Sequence, residues 1–155
     1  MVITEYFETI ENFLLTFSLT RKVEKHKFAE EVPPETLIIR HKEDSRKVQT
    51  PYQYVKQCQF ELEYVDSSAK KVLEQIDRLS NVLYEKRYLS NAASLEEQKF
   101  IHVDSFTFTG PSRVGDYVSC SGLLTVSETI SLPEETVEKM RNIHTTYRQL
   151  NEGGM

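Results

Sequence analysis

The hydrophobic period of the chain changes once, near its centre. From Tyr52 to Tyr64 apolar side chains occupy most even positions, and glutamine or glutamate occupies most odd positions; Lys56 and Val55 interrupt the pattern. Alternation of this length is typical of a strand with one buried and one solvated face, as in an antiparallel sheet that is covered on one side. The segment therefore predicts a long strand whose odd-numbered face is wet.

A helical period follows this strand. After Asp66-Ser67-Ser68 the apolar residues recur at helical spacing, which favours a helix that reaches about Tyr84. These residues are Ala69, Val72, Leu73, Ile76, Leu79 and Leu83. Either Asp66 or Ser67 can accept hydrogen bonds from the free N–H groups of the first turn and so cap the helix.

Two further helices are predicted, one near each end of the chain. The first is indicated by an apolar stripe made of Ile3, Tyr6, Phe7, Ile10, Phe13, Leu14 and Phe17. The last is expected at about residues 133–150, because Pro133 and the acidic pair Glu134-Glu135 suit the first turn of a helix.

The remaining segments predict three more strands. Leu37–His41 is a short β-branched run, and Lys42–Pro51, which is charged and almost free of apolar residues, is predicted to be a long hairpin loop. A third strand is expected at Phe100–Gly110, with the rings of Phe100, Phe106 and Phe108 on one face. The turn residues around Gly115-Asp116 precede a fourth strand that buries Val118, Cys120, Leu124 and Val126.

The predicted order of elements is α-β-β-α-β-β-α. Paired strands between helices favour an α+β fold with a four-stranded, mainly antiparallel sheet and helices packed on one face. The chain has 155 residues and no repeat or low-complexity linker. We therefore expect a single domain over residues 1–155, with the last helix at its C-terminal end.

Composition narrows the function classes. The net charge of −5 and the isoelectric point of about 5.4 argue against a dedicated nucleic-acid binder, although an acidic surface would let DNA pass without adhering to it. Two cysteines, Cys58 and Cys120, are too few for a disulfide framework and are expected to be buried thiols in a reducing compartment. The sequence has neither an apolar run long enough for a membrane span nor a signal-peptide pattern at its acidic N-terminus, so no membrane partner is expected.

Candidate chemistry is sparse. The sequence contains no phosphate-binding glycine loop, no HExxH pair and no GxSxG elbow, so no cofactor or metal is expected. The best catalytic candidate is His102 with Asp104, which project from the same side of the third strand and could transfer protons. A polar patch on a partly exposed strand is the simpler interpretation, and we expect no enzyme activity.

Several segments together resemble the tail-terminator proteins of long-tailed phages and phage-like particles, which are also called neck or minor capsid proteins. The resemblance covers about residues 3–128. It is carried by the element order, by the strand and helix QCQFELEYVDSSAKKVLEQIDRLSNVL, and by the hairpin FTFTGPSRVGDYVSCSGLLTV. Ala69, Ile76 and Leu79 match the family's helix pattern, and Gly115-Asp116-Tyr117 matches its turn. The helix at about 133–150 goes beyond the family's core.

The resemblance implies a structural role in a virion or phage-tail-like particle that is assembled in the cytoplasm of a bacterial host. The expected form is a hexameric ring that ends the tail tube and joins it to the head connector, and in contractile particles also meets the sheath. DNA would pass through the lumen without specific binding. A ring needs two different surfaces on each subunit. The expected interface residues are Glu43, Asp44, Arg46 and Lys47 in the charged loop, and Gln57, Gln59 and Glu61 on the wet strand face.

Two alternatives stay open. VGDYVSCSGLL is similar to the late strands of hotdog-type acyl-thioester enzymes, which place an acidic residue near their central helix; here Glu74 and Asp77 fall on the polar side of the predicted helix. The other alternative is a different phage neck adaptor or a general interaction domain. Subunit number distinguishes these, because such enzymes form dimers or tetramers and a terminator forms rings of six.

Overall fold

The computed structural model describes residues 1–90 and 100–132, which form two helices and seven strands. In chain order these are α1 (Ile3–Thr16), β1 (Lys22–Lys25), a 3-10 turn (Ala29–Glu31), β2 (Thr36–Thr50), β3 (Gln53–Asp66), α2 (Ala69–Lys86), β4 (Tyr88–Ser90), β5 (Phe100–Phe108), β6 (Ser112–Val114) and β7 (Tyr117–Ser131). The helix expected at 133–150 lies outside the described residues.

All seven strands belong to one curled sheet, so the predicted four-stranded architecture is wrong. The strand order is β1-β2-β3-β7-β5-β4, and β6 pairs with β7. β1 and β2 are parallel, and every other pair is antiparallel. The three strands that the sequence did not indicate, β1, β4 and β6, have only three or four residues each. Segments this short cannot display an alternating pattern.

Both helices contribute to one core on the same face of the sheet. Tyr6 and Phe7 of α1 contact the ring of Phe60 on β3, at centroid distances of 6.0 and 5.2 Å. The buried residues of α2 are Val72, Ile76, Leu79 and Leu83, which are four of the six apolar positions that the helical period indicated; Ala69 and Leu73 are exposed. Burial of this apolar stripe and of the even face of β3 is the main stabilising contribution.

The cap of α2 differs from the prediction. The hydroxyl of Ser68, and not Asp66 or Ser67, accepts the hydrogen bond from the N–H of Lys71 at 3.3 Å. The carboxylate of Asp66 is already engaged, because it accepts from the hydroxyl of Tyr64 at 2.8 Å and from the N–H of Ser67. At the other end Arg87 ends the helix in the left-handed conformation, with φ 60°.

The predicted hairpin loop is instead strand. β2 continues without interruption through the charged segment to Thr50, and the hairpin turn is confined to Pro51 and Tyr52. The register with β3 shifts twice, at a bulge between His41 and Glu43 and again between Val48 and Thr50. Residues 41–50 are all exposed, so neither face of this part of β2 required apolar residues. A strand that is wet on both faces has the composition of a loop, which explains the error.

A bulge in β5 reverses the direction in which its later side chains face. The register with β7 shifts between Val103 and Ser105. As a result, Phe100 is exposed whereas Phe106 is buried, so the two rings do not share a face as the sequence predicted. His102 and Asp104 stay together on the exposed side, before and within the bulge.

Gly122 of β7 provides the space for this buried ring. A methyl group at Gly122 would overlap the ring of Phe106 and would lie 3.2 Å from Cβ of Phe108. Because Phe106 is enclosed in the core, its ring has little room to move aside.

We predict that Gly122→Ala lowers the free energy of unfolding by about 1–3 kcal/mol through overpacking. Gly110→Ala is the matched control, because a methyl group at Gly110 meets no atom within 4 Å. Urea denaturation followed by circular dichroism compares the two variants. Equal midpoints for both would show that the ring relaxes without cost.

Candidate interaction site

The face of the sheet opposite the helices, here called the outer face, forms a groove of about 1260 Å³. Its lining comes from strands and from the hairpin, and none of the lining residues belongs to α1 or α2. The groove combines polar groups with exposed aromatic rings: Tyr88 and Phe100 keep 59% and 53% of their surface accessible. Exposed rings of this size beside hydrogen-bonding groups are typical of protein interfaces.

Asp104 is the centre of a polar cluster in this groove. Its Oδ1 lies 2.8 Å from Nδ1 of His102 and accepts from the hydroxyl of Ser127 at 2.9 Å. Its Oδ2 accepts from the amide of Gln57 at 3.1 Å. The ring of His102 also contacts Tyr88, with the centroids 5.1 Å apart. The cluster therefore links β3, β5 and β7 and orients the imidazole.

This cluster does not form a nucleophilic triad. A serine nucleophile is activated by a hydrogen bond to the histidine base, but Ser127 donates its proton to Asp104. His102 is bound to the same carboxylate oxygen and is half-exposed. The arrangement fixes the orientation of the His102 ring on the outer face. The sequence indicated His102 and Asp104 but not Ser127, which no local pattern distinguishes.

A second polar network on the outer face is centred on Arg40. Its Nη2 contacts the carboxylates of Glu61 at 2.7 Å and Glu63 at 2.6 Å. Lys42 reaches the other oxygen of Glu61 at 2.8 Å, and Ser119 donates to Glu63 at 2.7 Å. Burial alone would raise the pKa of Glu61, but the hydrogen bonds from Lys42 and Arg40 outweigh that effect and keep the pKa below its usual value.

The expected interface residues of β3 are thus partly engaged within the subunit. Glu61 is held by Arg40 and Lys42, and Gln57 by Asp104. Gln59 is half-buried. Two of the three expected residues, Gln57 and Glu61, therefore already have hydrogen-bond partners within the subunit.

The four expected interface residues of the charged segment all lie in the part of β2 that β1 does not cover. β1 pairs with β2 only from Thr36 to Ile39. From Arg40 to Thr50, the edge of β2 that points away from β3 therefore pairs with no strand within residues 1–90 and 100–132. We call this stretch the free edge. Glu43 and Lys47 face the same side as the outer face, whereas Asp44 and Arg46 face the helix side, as their register with β3 shows.

The opposite margin of the sheet is partly covered. The hydroxyl of Tyr84 bonds both main-chain groups of Phe106, accepting from its N–H at 3.1 Å and donating to its C=O at 3.2 Å. The N–H of Val103 donates to the C=O of Arg87 at 2.7 Å. The short strand β4 forms the last strand on this side among the described residues.

Lys56, which interrupts the alternation, lies on the buried side of β3. Its ammonium donates to the C=O of Met1 at 3.0 Å and lies 5.0 Å from the centre of the Tyr6 ring. The hydroxyl of Tyr6 donates to Glu128 at 2.8 Å. Burial is the main reason that the pKa of Tyr6 is raised, and this hydrogen bond is the second. The lysine charge is therefore accommodated by polar partners at the margin of the core.

Other potential chemistry is limited in the described part of the chain. Cys58 and Cys120 are buried, as predicted, and burial raises the pKa of Cys58 to about 11, so the thiolate nucleophile is disfavoured. No group of three or more His, Cys, Asp or Glu side chains in residues 1–90 and 100–132 is arranged to hold a metal ion. In the same residues, none of the helices has the length and apolar character needed to span a membrane.

Comparison with family models gives no match, and comparison with curated proteins gives no relative.

We predict that Glu61→Gln lowers the free energy of unfolding at pH 7. The pKa of Glu61 is lower in the folded protein than in the unfolded chain, so the ionised carboxylate stabilises the fold at every pH above the unfolded pKa. The difference from wild type should shrink as the pH falls below about 4, through the lowered pKa. Urea midpoints at pH 7 and pH 3 measure it.

The matched control is Glu74→Gln on α2, whose carboxylate is exposed and lies 4.0 Å from its cation, Lys70. This control should match wild type at both pH values. A deficit in Glu61→Gln that stays constant from pH 7 to pH 3 would contradict the pairing with Arg40 and Lys42.

Proposed function

We propose that this protein is a structural subunit that assembles with copies of itself, and specifically that it forms a hexameric ring of the tail-terminator type. The observation that carries the proposal is the free edge of β2, a long charged strand whose outer main-chain groups have no strand partner among the described residues. Such an edge is a template for pairing with another chain.

The opposite margin supports the ring in particular. A closed ring needs a heterologous contact, in which two different surfaces of each subunit meet. The free edge lies towards one side of the sheet, and β4 lies at the other, where Tyr88 of β4 and Phe100 of β5 are exposed. These margins differ in chemistry, since one is charged and the other aromatic. Contact between them in successive subunits would continue the sheet around a ring.

The remaining elements of the proposal follow from the family resemblance. The ring would end a tail tube and meet the head connector, and in a contractile particle also the sheath. Its location would be the tail or neck of a virion or phage-tail-like particle. The net charge of −5 is compatible with a lumen through which DNA passes without adhering.

An acyl-thioester enzyme has less support. Such an enzyme would place an acidic residue of its main helix against the sheet. In α2 the residues that face the sheet are apolar, and Glu74 and Asp77 are exposed. Ser127 and His102 in the groove share one carboxylate oxygen and do not bond each other, which gives no activated nucleophile.

Native mass spectrometry with negative-stain imaging of the same sample tests the ring. Particles of six copies, alone or on tube ends, are the expected result. A protein that stays dimeric or monomeric even with purified tail tubes present would contradict the proposal.

We predict that Arg46→Glu with Lys47→Glu leaves the fold intact but abolishes six-fold particles, because both side chains are exposed on the free edge. Lys70→Glu with Lys71→Glu on α2 is the matched control, with the same change in net charge away from the edge. Circular dichroism verifies folding of both. Rings that persist in the β2 variant would exclude the free edge from the ring contact.

A further inference from the structure

The charges of the free edge change sign at Ser45. The sequence from 43 to 47 is Glu-Asp-Ser-Arg-Lys, with two acidic residues before the serine and two basic residues after it. All five are exposed strand residues. A strand with this order is complementary to a second copy of itself that runs in the opposite direction.

An antiparallel pair with Ser45 opposite Ser45 brings opposite charges together throughout. Glu43 of one copy then lies opposite Lys47 of the other, and Asp44 lies opposite Arg46. Directly opposite residues in an antiparallel pair project to the same face with their Cβ atoms about 4.5–5.5 Å apart, which is close enough for ion pairs. The two-fold axis repeats each pair, so the charges of all four residues are matched.

Neighbouring registers are repulsive. Sliding one strand by two residues in one direction places Asp44 opposite Asp44 and Lys42 opposite Arg46. Sliding it by two residues in the other direction places Arg46 opposite Arg46. Like charges directly opposite each other destabilise a strand pair. The same side chains that would favour the centred register therefore exclude the adjacent ones.

The length of the free edge supports the same centre independently of the charges. β1 covers the outer side of β2 up to Ile39, and β2 ends at Thr50. Ser45 is the middle residue of the stretch from Arg40 to Thr50. A second copy centred on Ser45 would therefore pair along the regular part of this stretch, from Glu43 to Lys47, which lies between the register shifts at His41/Glu43 and Val48/Thr50, and would not compete with β1.

We propose that two copies of this protein pair through their free edges, antiparallel and in the register Ser45 opposite Ser45, to form a two-fold dimer with a continuous sheet. The inference stands on the edge alone and does not require the ring. If the ring also forms, the dimer occupies the edge that the ring uses. Pairing of the edges would then hold free subunits back from ring closure until an assembly partner displaces one copy.

Charge-reversal variants test the register. Glu43→Lys places lysine opposite Lys47, and Lys47→Glu places glutamate opposite Glu43, so each single variant should weaken the dimer by about tenfold or more. An equimolar mixture of the two variants restores both pairs and should recover a dimer. Glu74→Lys on α2 has the same charge change as Glu43→Lys and should match wild type. Sedimentation velocity over a concentration series gives the mass, which is expected at twice 18.1 kDa.

Cysteine cross-linking provides a second measurement. In the proposed register Ser45→Cys places two thiols opposite each other at a Cα separation of about 4.5–5.5 Å, which suits a disulfide. Gln49→Cys is the control, because residue 49 would lie opposite His41. The native thiols Cys58 and Cys120 are buried and should not react. We expect covalent dimer from Ser45→Cys and little from Gln49→Cys under mild oxidation.

The outcomes separate this inference from the ring. Wild type that is monomeric, single variants that dimerise as well as wild type, or a mixture without recovery would each overturn the edge pairing. Hexameric rings without a charge-dependent dimer would also overturn it while supporting the ring. A charge-dependent dimer that never yields rings would support the pairing and count against the ring.

Discussion

The two-sided pairing of β3 is the constraint on which the rest of the structure depends. β3 is hydrogen-bonded to β7 along its whole length and to β2 from Gln53 to Val65. Its even face, including Phe60 and Leu62, is buried against both helices. A shift of the strand register by one residue would expose this apolar face to water and place glutamates in the core. The hydrophobic alternation thus determines the register of the three longest strands.

The bulges are the means by which other strands adapt to this register. The bulge between His41 and Glu43 separates the buried half of β2 from the exposed half, which is why the charged segment can remain strand. The bulge near Asp104 lets β5 bury Phe106 while it presents His102 to the outer face. Bulges near the ends of a buried region commonly redirect side chains in this way. Both occur where the polar clusters of the outer face begin.

The polar side chains of the outer face are largely satisfied within the subunit. Asp104 gathers three partners, and Arg40 joins two glutamates. The main chain of the free edge, by contrast, has no strand partner on its outer side within the described residues. Unpaired main-chain groups along a strand have a strong and directional capacity to bind another strand. This contrast is the reason that assembly, rather than catalysis, is the function we propose.

The sequence by itself determined the elements whose periods are long and unambiguous: α1, β3 and α2, with four of the six apolar positions of the α2 stripe and the buried even face of β3. The odd face of β3, predicted to be wet, is half-buried at Gln59, Glu61 and Glu63. It also placed His102 and Asp104 on one face and both cysteines in the core. Only the tertiary structure decided the number of strands, since β1, β4 and β6 are too short to show a period and exist through pairing with their neighbours. The same holds for residues 42–50, where solvent on both faces removes the hydrophobic signal and hydrogen bonds to β3 alone make a strand. The sequence likewise does not indicate the bulges, because a bulge is an extra residue in one strand relative to its partner and so depends on which strands pair.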